Sequence, residues 1–100
     1  MNIQKRRAVA YIAGRLISGR PSGAVYDYAA AARFRIYGDV SPDYIQVYDD
    51  DRYGYIRGGA TPAGLSLFDH PTRQNIQMRI NGDDFYGFDD ESSSYFSGEA

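Results

Sequence analysis

An aromatic residue followed directly by aspartate recurs four times in this chain of 100 residues, at intervals of 22, 20 and 20 positions. The four pairs begin at Tyr26, Tyr48, Phe68 and Phe88. Eight positions after each of these aromatic residues stands a large apolar residue: Phe34, Ile56, Ile76 and Phe96. A fixed period of this length is typical of a chain built from one repeated supersecondary unit. The spacing therefore predicts four repeats over residues 23–100, with the four apolar residues buried at equivalent positions.

Apolar and polar residues alternate within each repeat, which is the pattern of a β-strand with one buried face. Segments 45–49 and 65–69 show this alternation, and a returning strand is expected at 33–36, 55–57, 75–80 and 95–96. We predict turns between them at residues 39–43 and 58–63, at Asn81-Gly82, and at 29–32 in spite of the helix propensity of the alanines there. Each repeat is then strand, turn, strand, turn, which gives about eight strands in the chain.

Two arrangements of such repeats are compatible with the spacing. A parallel β-solenoid would stack the four aspartates on adjacent strands about 4.8 Å apart, where like charges destabilise a sheet. An antiparallel meander places one strand between successive aspartates and doubles their separation. We therefore predict a mainly β fold, an antiparallel meander of about four two-strand repeats, with the parallel β-solenoid as the alternative.

The N-terminal segment has a different period. Its apolar residues fall at helical spacing and form one stripe, at Val9, Ile12, Ala13, Leu16 and Ile17. Gly19 and Pro21 follow as stop signals. The pattern predicts an amphipathic helix over residues 4–17. With 100 residues the chain is expected to form a single domain, in which residues 1–22 are the helix and cap and residues 23–100 the four repeats.

Charge is distributed in two blocks. Residues 1–38 hold seven Lys and Arg against one acidic residue, whereas residues 39–100 hold four Arg against twelve acidic residues. Blocks of opposite sign each create their own local field. We expect the basic segment to lie on the acidic one. The alternatives are a basic partner for the acidic block and head-to-tail self-association.

Tyrosines and acidic residues of the repeats are the candidate binding residues. Tyrosine is enriched at protein interfaces, and its ring also stacks on sugars. The candidates are Tyr26, Tyr48, Tyr53, Tyr55, Asp49, Asp50, Asp51, Asp89 and Asp90. A structural role is the alternative, since tyrosines pair across strands and strand-end aspartates cap turns. Carboxylates are also the ligands that calcium takes, but the EF-hand pattern is absent, because the fifth and twelfth positions counted from Asp49 are Tyr53 and Ala60. We expect the aspartates to cap turns and expect no metal or cofactor, with calcium binding as the alternative.

Features of catalysis and of membrane insertion are not found in the sequence. The chain contains no Cys and one His, His70, and it contains no glycine-rich phosphate-binding loop, so we expect no enzyme. No apolar run is long enough to cross a membrane as a helix. We expect a cytoplasmic location, with secretion left open because residues 5–13 faintly resemble a signal peptide.

The segments Val25-Tyr26-Asp27-Tyr28, Val47-Tyr48-Asp49-Asp50 and Leu67-Phe68-Asp69-His70 resemble a group of short uncharacterised bacterial proteins with tandem Val/Leu-Tyr-Asp-Tyr repeats. This resemblance implies a β-rich repeat fold and no assigned activity. A weaker similarity is to the Tyr-Asp repeats of Rhs and teneurin shells. Those repeats place Gly-Arg soon after Tyr-Asp, and this chain has other residues there, so no shell architecture is expected.

These observations together predict a non-catalytic interaction module of bacterial or phage type that uses an acidic, tyrosine-rich β surface. A protein is the expected partner, with self-association included. A carbohydrate-binding module and a small inhibitor whose acidic face imitates nucleic acid are the two alternatives. Nucleic acid is not an expected partner, although the basic helix carries groups that could contact phosphates.

Overall fold

Eight antiparallel strands in chain order form one curled, half-barrel sheet in the computed structural model, which describes residues 1–99. A helix precedes the strands and lies against the inner face of the sheet. The elements are α1 (Ile3–Ser18), β1 (Ala24–Asp27), β2 (Ala32–Val40), β3 (Ile45–Asp49), β4 (Gly54–Thr61), β5 (Gly64–Asp69), β6 (Gln74–Asn81), β7 (Asp84–Asp89) and β8 (Ser94–Glu99).

The strand pairing confirms the antiparallel meander. Every strand pairs with its neighbours in the chain, and all seven pairs are antiparallel. Val47 on β3 lies between Gly38 on β2 and Ile56 on β4. The parallel β-solenoid is therefore wrong, and equivalent strands are separated by the strand that returns between them.

Helix α1 has side-chain and backbone caps at its two ends. The Asn2 side chain accepts a hydrogen bond from the Lys5 backbone N–H at 2.7 Å, and Gly19 ends the helix in the left-handed conformation with φ of 69°. The helix is two residues longer than predicted, one at each end. Its stripe is buried on the sheet at Val9, Ile12 and Ala13.

The same backbone geometry occurs in the four turns that follow the aromatic–aspartate pairs. The fourth residue after each aspartate has a positive φ of 51–56°, at Ala31, Tyr53, Arg73 and Ser93. Each loop has four residues, since the aspartate pairs with the residue that follows the left-handed one. Hairpin loops of this length are most often built around a type I turn. The alanine segment forms one of these turns, as predicted, and enters β2 at Ala32.

Two other turns were predicted too early in the chain. Strand β2 continues to Val40 and β4 to Thr61, so Asp39 and Gly58, the first residues of the two predicted turns, belong to strands. A Cβ added to Gly58 would lie 2.0 Å from the Ser66 carbonyl oxygen. This glycine therefore allows close approach of two curled strands and does not mark a turn.

The core lies between α1 and the inner face of the sheet. Of the four apolar residues expected to be buried equivalently, Ile56 and Ile76 are fully buried, whereas Phe34 and Phe96 are only half-buried. Phe96 lies on the last strand, and Phe34 is covered by the Arg7 guanidinium, whose carbon is 3.4 Å from the ring centroid. The prediction of equivalent burial is wrong for these two residues, because the sheet has open edges and does not close around them.

Candidate functional site

Four strand-end aspartates line one end of the inner face, and we call Asp27, Asp49, Asp69 and Asp89 the inner aspartate row. Side chains alternate along a strand, so Asp49 shares the inward face of β3 with Ile45 and Val47. Asp49 is 2% exposed and Asp89 is 0% exposed. The prediction that these two residues lie on the surface is therefore wrong, because the alternation of the strand directs both side chains into the core.

Arg52 joins two members of the inner aspartate row. Its guanidinium donates to Asp49 at 2.7 Å and to both carboxylate oxygens of Asp69 at 2.8 and 3.0 Å. The Thr72 hydroxyl also donates to Asp69, at 2.6 Å. Burial of Arg52 opposes its charged form, but the two carboxylates outweigh this effect and raise the pKa of the guanidinium.

The helix supplies the cations for the other two aspartates. The fully buried Lys5 ammonium lies 2.5 Å from Asp89 and 3.2 Å from the Thr72 hydroxyl. Arg7 pairs with Asp27 at 2.9 Å, and its hydrogen bonds hold the pKa of that carboxyl below the ordinary value. Burial acts to raise the pKa of Asp89, but the hydrogen bonds from Lys5 and Ser92 outweigh it and lower that pKa.

These contacts confirm the expectation that the basic segment lies on the acidic one. The expected capping of turns is confirmed where Asp27 accepts from the Ala29 and Ala30 amides and Asp49 accepts from the Asp51 amide. Asp69 and Asp89 accept hydrogen bonds from the hydroxyls of Thr72 and Ser92, and Asp89 also receives one from the Ser92 backbone. Within residues 1–99, no three acidic or imidazole side chains are grouped so that they could hold a metal ion.

The remaining acidic candidates have different positions. Asp51 contacts the helix, because its carboxylate accepts from Gln4 at 3.1 Å and lies 3.4 Å from Arg7. Asp50 and Asp90 are exposed at the first position of their turns. Both donate their backbone N–H to the preceding hairpin, at the carbonyls of Arg35 and Asn75. Only these two of the acidic candidates are therefore well placed to meet a partner.

The outer face of the sheet carries arginines among the aromatic residues. The alternation that turns the aspartates inward turns four of the eleven Lys and Arg outward, namely Arg33, Arg35, Arg57 and Arg79. The outer face is thus not uniformly acidic, because it carries these arginines, while Asp49, Asp69 and Asp89 are buried on the inner face.

Three tyrosines and two arginines stand side by side in the centre of the outer face, and we call Tyr37, Tyr48, Tyr55, Arg35 and Arg57 the outer tyrosine cluster. The strand register places the rings next to each other on β2, β3 and β4. Ring centroids of Tyr37 and Tyr48 are 5.8 Å apart, and those of Tyr48 and Tyr55 are 5.0 Å apart.

The two arginines of the cluster lie over its outermost rings. The Arg35 guanidinium carbon is 5.0 Å from the Tyr37 centroid, and that of Arg57 is 4.6 Å from the Tyr55 centroid. Both distances are within the range of a cation–π contact. Desolvation and the charge of Asp50 raise the pKa of the central Tyr48, so its hydroxyl remains a hydrogen-bond donor.

The other predicted tyrosines lie outside this cluster. Tyr26 on β1 is 47% exposed and contacts Tyr28, with ring centroids 4.8 Å apart. Tyr53 occupies the turn before β4 and is 84% exposed. Sequence reasoning included Tyr48 and Tyr55 but missed Tyr37, Arg35 and Arg57. The alternation of Arg35 and Tyr37 was visible in the sequence, whereas the register that joins the three strands was not.

Comparison of the chain with models of protein families, with curated proteins and with solved structures found no match. No helix in the part of the chain that the structure describes has the length and apolar character needed to cross a membrane.

Proposed function

We propose that this protein is a non-catalytic binding module that contacts another protein through the outer tyrosine cluster. The observation that carries the proposal is the ordered row of Tyr37, Tyr48 and Tyr55 with an arginine over each end. Tyrosine and arginine are the residues that most often dominate the free energy of a protein interface.

The arrangement also reduces the entropy lost on binding. Each ring is held by a neighbour on the next strand, so its rotamer is restricted before a partner arrives. Immobilising a side chain on binding otherwise costs about 0.5–1.5 kcal/mol. Tyr48 is half-buried while Tyr37 and Tyr55 are 39% and 38% exposed, which leaves ring edges, hydroxyls and guanidinium groups accessible to a partner.

The arginines favour a partner surface that carries carboxylates, since a guanidinium pairs well with them. The alternative of a small inhibitor that imitates nucleic acid requires a row of exposed carboxylates on this protein. Burial of Asp49, Asp69 and Asp89 removes that row. Exposed tyrosine rings also stack on sugars, so binding to a glycan array is measured beside protein capture.

Affinity capture from the native host tests this proposal, with the full chain as bait and quantitative mass spectrometry as the measurement. We expect Arg57→Glu and Tyr37→Ser to lose the proteins that the wild type enriches. The matched controls are Arg79→Glu and Tyr86→Ser, which change a neighbouring arginine–tyrosine pair on the same face, at the β6–β7 register.

Equal enrichment by wild type and all four variants would contradict the proposal. Binding to a glycan array that Tyr37→Ser abolishes, without enrichment of any protein, would replace it with the carbohydrate alternative.

A further inference from the structure

The two edges of the half-barrel differ in how far they are protected. Strand β1 has four residues, and the segment before it is tied to the helix, since the Tyr11 hydroxyl donates to the Ser22 carbonyl. Strand β8 has six residues and contains neither lysine nor proline, the residues that commonly block an edge. Within residues 1–99, β8 pairs only with β7.

The hydrogen-bond pattern identifies which groups of β8 point away from β7. In an antiparallel sheet, successive residues direct their backbone groups to opposite neighbours. The Asp90 N–H donates to the carbonyl of Asn75 in β6, so the backbone groups of Asp89 and Gly87 face β8. Their register partners there are Ser94 and Phe96. The backbone groups of Tyr95, Ser97 and Glu99 therefore face the open edge.

A cleft runs along this edge, between β8, β1 and the first turns of the helix. Its volume is about 520 Å³, and its apolar wall includes Met1, Ala10, Val25 and Phe96. A second cleft of about 480 Å³ continues past Tyr95 and shares Met1, Arg6 and Phe96 with the first. Residues of both edge strands therefore line the first cleft.

Arg6 is the charged residue that both clefts share. The first cleft is also lined by Glu99 and by the ion pair of Arg7 and Asp27, whereas among the residues that the structure describes no other charged side chain lines the second. The Arg6 side chain is exposed, and within residues 1–99 it forms no ion pair, whereas its neighbours Lys5 and Arg7 are paired with the inner aspartate row. The two clefts thus combine free backbone donors and acceptors with an apolar wall, and Arg6 is the unpaired cation along the second cleft, which Glu99 does not line.

We propose that the open edge of β8 binds an extended peptide segment of another protein, one with alternating apolar side chains and a carboxylate within reach of Arg6. The peptide adds a strand to β8, so main-chain hydrogen bonds supply affinity and the cleft selects the side chains. This site is separate from the outer tyrosine cluster, and its test does not depend on that proposal.

Titration of the labelled full chain by NMR tests the proposal, with a synthetic heptapeptide of alternating valine and glutamate as the probe. We expect saturable shifts of the amides of Tyr95, Ser97 and Glu99. The heptapeptide with lysine in place of glutamate is the matched control and should bind at least about tenfold more weakly. Absence of saturable binding, equal binding of both peptides, or shifts confined to the outer tyrosine cluster would overturn the proposal.

Two variants separate the backbone and charge contributions. Ser97→Pro removes one N–H at the open edge without removing a bond to β7, so we expect weaker binding, while Ser97→Ala should bind like the wild type. Arg6→Glu changes an exposed helix residue and should reverse the preference, so that the lysine peptide binds more tightly than the glutamate peptide. An unchanged preference in Arg6→Glu would overturn the assigned role of Arg6, even if the proline variant failed to fold.

Discussion

Lys5 is fully buried, which is rare for lysine unless its charge is paired. Its ammonium lies among Asp89, Thr72 and, at 3.8 Å, Glu91. Every buried side-chain nitrogen and oxygen within residues 1–99 has a hydrogen-bond partner, so the network containing Lys5 is complete. Such a network fixes where the helix docks, because a shifted helix would leave both Lys5 and Asp89 unpaired in the core.

Replacing Lys5 should therefore strongly destabilise the protein. We expect Lys5→Met to lower the free energy of unfolding by about 3–5 kcal/mol, because it leaves the Asp89 carboxylate buried without a cation. Urea unfolding measures this loss. The double variant Lys5→Met with Asp89→Asn should recover a large part of it, since no uncompensated charge remains. A single variant as stable as the wild type would contradict the assigned role of the pair.

At the level of elements, the four hairpin turns share one strained position. Ala31, Tyr53, Arg73 and Ser93 are in the left-handed region, where a side chain destabilises the backbone by about 1–2 kcal/mol. Glycine has no such penalty but loses more entropy on folding. The turns thus keep a conformation that their own residues disfavour, and the flanking strands impose it.

Glycine at one of these positions should stabilise the fold. We expect Arg73→Gly to raise the free energy of unfolding by up to about 1 kcal/mol, measured by urea denaturation. Gln74→Gly is the control, one residue further along in β6, and it should lower stability by about 0.5–1 kcal/mol. If both variants were destabilised equally, backbone strain at Arg73 would not be the cause.

The sequence predicted the strands and their order better than it predicted the positions of the candidate binding residues. Alternation in segments such as Ile45–Asp49 was sufficient to place strands, and like-charge repulsion favoured the meander. Asp49 was nevertheless assigned to the surface, because aspartate is rarely buried, although it shares the face of Val47. Its burial depends on Arg52, three residues further on, which also pairs with Asp69 on the next hairpin. The burial of Asp89 depends on Lys5, 84 residues away. The strand alternation was local, but the contacts of Arg52 with Asp69 and of Lys5 with Asp89 depend on the fold and could not be read from local sequence.

At the scale of the whole molecule, docking of the helix on the sheet brings basic residues of the N-terminal segment against acidic residues of the repeats. Lys5 and Arg7, near the helix N-terminus, reach Asp89 and Asp27 on the last hairpin and the first. At the other end of the helix, Arg15 donates to the Gly38 carbonyl at 2.6 Å. One helix therefore connects distant parts of the meander, and its attachment depends on carboxylates that remain ionised.

Acid should weaken this attachment. Both Asp27 and Asp89 have a folded-state pKa below the ordinary 3.8, so their stabilising contribution is complete above about pH 5. It is lost as the pH falls through the folded-state pKa, because the unfolded chain then binds more protons. Urea unfolding between about pH 5 and pH 2 should show this loss, and Asp89→Asn should show a smaller one. Stability that rose on acidification would contradict the pairing.

The pairing of the inner aspartate row also limits how this chain could grow by tandem duplication. Three cations, Arg7, Arg52 and Lys5, serve its four aspartates, and only Arg52 comes from a hairpin. A hairpin copied after β8 would bring a fifth inward-facing aspartate, but Lys5 and Arg7 are already paired and the remaining nearby helix cation, Arg6, is exposed and not on the inner face. That carboxylate would be buried alone, which strongly destabilises a fold. An array of this kind can lengthen only if each new unit carries its own arginine, as the hairpin of Arg52 already does.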